Sequence, residues 1–128
     1  MARGGLDKSE ALKKRTKQFA LRVLKLVRAL PKSDEAKIIG RQVLRSGTSV
    51  GANYRAVCRA RSHKEFISKM GVVVEESDET LFWFEILVEG EIVRETRMRA
   101  ILQEGNELVA IFGASLRTAR RRLRSRSK

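Results

Sequence analysis

Apolar residues recur along this chain at steps of three and four, the spacing of one face of an α-helix. The first stripe is Leu12, Thr16, Phe19, Val23, Leu26 and Leu30. It opens behind Asp7-Lys8-Ser9-Glu10, which has capping-box spacing, and Pro31 stops it. Ser33 caps a second stripe of Ala36, Ile39, Val43, Ser46, Val50, Asn53, Val57 and Ala60, with Asp34 and Glu35 in the first turn where the helix dipole favours them. Ser62-His63-Lys64-Glu65 is another capping box, and it opens Phe66, Met70, Val73, Ser77, Thr80, Phe84 and Leu87. Gly90 is placed for a left-handed cap. A fourth helix is predicted from near Thr96, with Met98, Ile101, Gly105, Leu108, Phe112 and Ser115, widened by the row Leu102, Val109, Leu116 and Leu123.

Four long helices with short links predict an all-α, up-down-up-down antiparallel four-helix bundle over residues 9–118. A flexible N-terminus (1–8) and a basic C-terminal tail (119–128) flank it. The tail is nearly all Arg and Ser, so self-repulsion predicts a frayed or disordered end. Helix 2 tests the scheme, because Gly40, Gly47 and Gly51 each disfavour helix by up to ~1 kcal/mol. A break at Ser46–Ser49 would give five shorter helices. The apolar stripe stays in phase on both sides of the glycines, which favours one continuous helix with a neighbour approaching closely.

Composition sharpens the functional side. The 128 residues carry a formal charge of +13, a single-domain length with a polyanion as leading partner. Residues 1–69 sum to +13, residues 70–107 to −7 and residues 108–128 to +7, so an acidic middle lies between basic arms. One cysteine, Cys58, excludes an internal disulfide and a Cys-based zinc site. One histidine, His63, rules out two-histidine helical metal motifs and di-iron carboxylate bundles. Gly47-Thr48-Ser49-Val50-Gly51 lacks the Lys and spacing of a phosphate-binding loop. The expectation is a non-enzymatic protein with no metal and no cofactor. The N-terminus shows no secretory signal and no run spans a membrane, which predicts a cytoplasmic protein.

The positive signal is geometric. At 100° per residue Lys37, Arg41, Arg45, Arg55 and Arg59 fall in one narrow row opposite the helix 2 core stripe, with small Thr48 and Ala52 between them. Lys14, Lys17, Arg22, Lys25 and Arg28 spread over the outer face of helix 1. Such rows match backbone phosphates and carry no sequence reading. Arg120, Arg121, Arg122 and Arg124 of the tail add non-specific attraction. Helix 3 shows the opposite sign: Glu75, Asp78, Glu79, Glu85 and Glu89 surround Phe82 and Ile86 on its outer face. That face is expected to meet the basic face of another copy, with Phe82, Ile86, Glu75 and Glu79 in a heterologous contact that can close a ring. Ser46, Asn53 and Ser77 on the core stripes need partners in one another or in helix backbone.

Three stretches resemble a known family. They are Gln42-Val43-Leu44-Arg45-Ser46-Gly47-Thr48-Ser49-Val50-Gly51-Ala52-Asn53-Tyr54, Arg59-Ala60-Arg61-Ser62-His63-Lys64-Glu65-Phe66-Ile67, and Glu76-Ser77-Asp78-Glu79-Thr80-Leu81-Phe82-Trp83-Phe84-Glu85. Together they resemble the signature of the four-helix-bundle family encoded by intervening sequences in 23S ribosomal RNA genes, over roughly Leu12 to Thr118. The resemblance implies a continuous helix 2, an up-down bundle and a homopentamer. Where the pattern often has Glu, this chain has Ala56. A structurally similar relative, the accessory variability determinant of diversity-generating retroelements, is a basic pentameric bundle that partners a reverse transcriptase and RNA, an analogy that sets only a prior.

The reading is an oligomeric bundle that binds RNA or other nucleic acid through phosphates, with weak sequence selectivity and strong salt dependence. At 5% aromatic residues, base stacking is not the expected mode. Two rivals stand beside it: a scaffold docking an acidic partner such as a reverse transcriptase, and a purely self-assembling bundle.

Overall fold

The computed structural model describes the backbone of residues 2–127 and the side chains of residues 8–126. Four helices follow in order: α1 (Ala2–Arg28), α2 (Asp34–Cys58), α3 (His63–Glu89) and α4 (Glu95–Ser127). They form an up-down-up-down bundle in which each helix packs extensively on the next, while α1 and α4 touch far less. Two aromatic pairs tie the diagonals. Phe19 of α1 meets Phe84 of α3 edge-on at 6.2 Å, and Tyr54 of α2 meets Phe112 of α4 at 5.2 Å. Around them Val23, Val43, Val50, Val73, Leu87, Met98 and Leu108 are buried. Burial pushes the Tyr54 phenol up to about 12, with Cys58 beside it adding to the shift.

α2 is continuous through its glycines, and each of the three is a place where α1 comes in. A Cβ on Gly47 would lie 2.8 Å from Val23, one on Gly51 3.2 Å from Thr16, and one on Gly40 3.0 Å from Leu30. The helix-propensity cost of these residues is therefore offset by a close α1–α2 seam.

Helix ends follow local chemistry. The Ser33 hydroxyl accepts from the Ala36 amide at 3.3 Å, and the Ser62 hydroxyl accepts from the Glu65 amide at 3.0 Å. Three ends differ from expectation. Helix α1 starts at Ala2, so the Asp7–Glu10 box lies inside it; the side chains of the expected flexible residues 1–7 lie outside the described ones. At the end of α3, Gly90 has φ −80, and the left-handed residue is Glu91 with φ 60. The Ile92 amide donates to the Leu87 carbonyl and the Glu91 amide to the Val88 carbonyl, a Schellman motif set one residue later than the glycine. Finally, α4 continues through Ser127, placing Arg120–Arg126 on helix where a frayed end was expected.

The buried hydroxyls bond along their own helices and not to one another. Ser46 donates to the Gln42 carbonyl at 2.8 Å, Ser77 to Val73 at 2.7 Å, Thr16 to Leu12 at 2.8 Å and Thr80 to Glu76 at 2.7 Å. The half-buried Asn53 amide donates likewise to Ser49.

Candidate nucleic-acid interface

Antiparallel packing brings the start of α1, the end of α2, the start of α3 and the end of α4 to one pole. There the imidazole Nε2 of His63 donates to the Ala119 carbonyl at 2.8 Å, holding the last turns of α4 against the start of α3. Lys8, Lys14, Lys17, Arg55, Arg59, Arg61, Lys64, Arg117 and the arginines of 120–126 gather at this pole, where Glu10 and Glu65 are the carboxylates among the described side chains. Glu10 is engaged by Lys13 at 3.0 Å. An open groove of about 710 Å³ runs along the α1–α2 seam between Lys14, Lys17, Arg55 and Arg59. These four side chains are exposed and make no ion pair among the described residues. Arg59 stands one residue past the helix, at the C-cap of α2.

The predicted row on α2 divides in the structure. Lys37 and Arg41 are exposed at the other end of the seam, where a groove of about 360 Å³ joins them to Arg28 and Lys32. Arg45, midway along, turns to α3: its guanidinium pairs with Glu76 at 3.4 Å and with Glu79. Gln42 also accepts from it at 3.1 Å. A charge seen on the helix 2 wheel as part of an outward row is thus neutralised by carboxylates of the next helix.

That pairing changes the α3 face as well. Glu79 accepts from Arg45 and from the Trp83 indole at 3.0 Å, so it is committed within the chain. Glu75, Asp78, Glu85 and Glu89 remain exposed around Phe82, which is 50% exposed, while Ile86 is half-buried. Lys32, Arg61 and Lys64 enter the basic surface without having been singled out in the sequence. Their signal is the antiparallel topology, which places loop cations beside the helix rows.

A separate ion-pair cluster joins α1 to α4. Arg15 donates to both Glu104 oxygens at 2.8 Å and to Glu107 at 2.7 Å. The guanidinium holds the Glu104 carboxyl below its usual range, and the carboxylates in turn raise the Arg15 pKa. Among the described residues no group of His, Cys, Asp and Glu side chains could hold a metal ion, and no helix is long and apolar enough to cross a membrane.

No curated protein matches the chain. A crystal structure from Bacteroides thetaiotaomicron, of a protein with unknown function from the S23 ribosomal protein family, is similar to it with a TM-score of 0.79 and 29% identity. The match covers 86% of this chain and 98% of that one. The family description "23S rRNA-intervening sequence protein" matches residues 8–114, which contain all three signature stretches and most of the basic seam but stop short of the arginines at the end of α4. With the family match running through all four helices and the three signature stretches, the chain belongs to the 23S rRNA-intervening sequence protein family.

Proposed function

We propose that this protein is a non-enzymatic, oligomeric bundle that binds RNA or another nucleic acid through its phosphate backbone. The observation that carries the reading is the pole groove, where Lys14, Lys17, Arg55 and Arg59 converge from two helices with no carboxylate pairing them among the described residues. Cations that merely solubilise a bundle are usually interspersed with acids, and here most of the acids sit on α3 and α4, while Glu10, which also lines the groove, is paired with Lys13. Arginines 120, 121, 122 and 124, projecting on α4, extend the same field. Phosphate contacts confer affinity without base reading, so selectivity among RNA sequences is weak.

Fluorescence anisotropy with labelled RNA at several salt concentrations tests this. Combined replacement of Lys14, Lys17, Arg55 and Arg59 by Ala should weaken binding at least about tenfold, equally for unrelated RNAs, and flatten the log K against log salt slope by about 3. Unchanged affinity and slope in a variant with wild-type melting would sink the reading. For assembly, Phe82 is the supporting observation: a large aromatic half-exposed among carboxylates favours a contact with another copy centred on it. Phe82→Asp should lower the mass in sedimentation, and an unaltered mass removes that part.

A further inference from the structure

We propose that the α1–α2 face grips double-stranded RNA at two points about one helical turn apart. This deepens the nucleic-acid reading above and rests on it. Four cations without an ion pair among the described residues, Lys14, Lys17, Arg55 and Arg59, line the pole groove beside the Lys13–Glu10 pair. Four more, Arg28, Lys32, Lys37 and Arg41, line the groove at the far end of the same seam. Between the clusters the α2 side of the seam is an uncharged waist, residues 46–54 carrying no charge, while Lys13, Lys17 and Arg55 line only its pole end. Ala20, Thr48 and Ala52 line it, and Leu21 beside them is 50% exposed. The one cation of α2 that could have bridged the waist, Arg45, is drawn off to Glu76 and Glu79.

The spacing is set by the helix. Lys37 and Arg55, one from each cluster, are 18 residues apart on the uninterrupted α2, which is about 27 Å at 1.5 Å per residue. A flexible single strand is best held by a continuous cationic track with aromatic platforms for its bases. This face offers neither, because the track is interrupted and the aromatic residues of α1 and α2, Phe19 and Tyr54, are both buried. A rigid duplex loses nothing at the waist. Its backbones come round to the surface, pass out of reach and return about one turn later. The spacing is shorter than the roughly 34 Å turn of B-form DNA. It suits the more compact A-form, whose wide, shallow minor groove presents phosphates and 2′-hydroxyls to a shape-reading surface.

The test uses the full chain and three labelled probes at one salt concentration: an RNA duplex of about 16 base pairs, a length shape-reading modules span, a DNA duplex of the same length, and oligouridine of equal length. The RNA duplex should bind at least about tenfold more tightly than oligouridine, and more tightly than the DNA duplex. The double variant Lys37→Ala/Arg41→Ala, remote from the pole, should weaken duplex binding about tenfold while changing oligouridine binding by less than about threefold. Oligouridine binding as tightly as duplex RNA, a DNA duplex binding more tightly, or an indifferent double variant would each overturn the two-point grip. Those results leave the phosphate-binding reading standing. Failure of all three probes to bind at low salt would instead remove that reading and this one together.

Discussion

The two sides of α1 are closed by opposite means. Toward α2 the contact is steric: Gly40, Gly47 and Gly51 remove side chains so that Leu30, Val23 and Thr16 press onto bare backbone. Toward α4 the helices touch little, and the link is a charged clasp of Arg15 with Glu104 and Glu107. The first kind of seam is short-range, insensitive to salt and intolerant of volume. The second is screened by salt, titrates with acid and contributes modestly. The tight seam is also the one that carries the basic grooves. Its rigidity fixes how far the cations of α1 stand from those of α2.

The largest expected effect comes from filling the tight seam. Gly47→Leu forces a side chain into Val23 and should cost about 3 kcal/mol, read as a large drop in melting temperature. Gly71→Ala is its control, on α3 with nothing within 4 Å of the added carbon. Removing the glycine penalty there should stabilise by up to about 1 kcal/mol, so the two substitutions are expected to move the melt in opposite directions. A Gly47→Leu variant that melts like wild type would mean that α1 does not rest on α2 as described.

A smaller change is expected at the clasp. Glu104→Gln should cost about 0.5–1 kcal/mol at neutral pH and low salt, and less in high salt. Because the folded-state carboxyl titrates below its ordinary range, its contribution is present above the unfolded-state value near ~4.3 and is lost as pH falls through the lower folded value. Wild type should therefore lose stability on acidification below about pH 4.5 more steeply than Glu104→Gln. Parallel acid profiles of the two proteins would show that the clasp carries no linkage.

Much of the fold could be read from residue order. Ser33, Ser62 and Pro31 act on neighbours three or fewer residues away, and the apolar stripe kept its phase across the glycines of α2, so boundaries and continuity were legible. The fate of Arg45 was not. Its carboxylate partners are 31 and 34 residues away, and only the rotation of α3 about its axis decides that they face α2. The Gly90–Glu91 turn was missed by one position because either residue can end the helix, and the Leu87 carbonyl settles which one bends back. Lys14, Lys17, Arg55 and Arg59 were each identifiable as outward cations. That they share one groove required the antiparallel pairing of the beginning of α1 with the end of α2.

The hydroxyls of Thr16, Ser46, Ser77 and Thr80 spend their protons on carbonyls one turn back, so none of them forms a bridge between neighbours. Alanine at Ser46 or Ser77 would strand no partner, since a carbonyl already bonded in the helix loses only a second donor. The interior is thus keyed by vacancies and bulk rather than by polar latches. Small residues should therefore be interchangeable at these hydroxyl sites, whereas a side chain added opposite Val23 or Thr16 has nowhere to go.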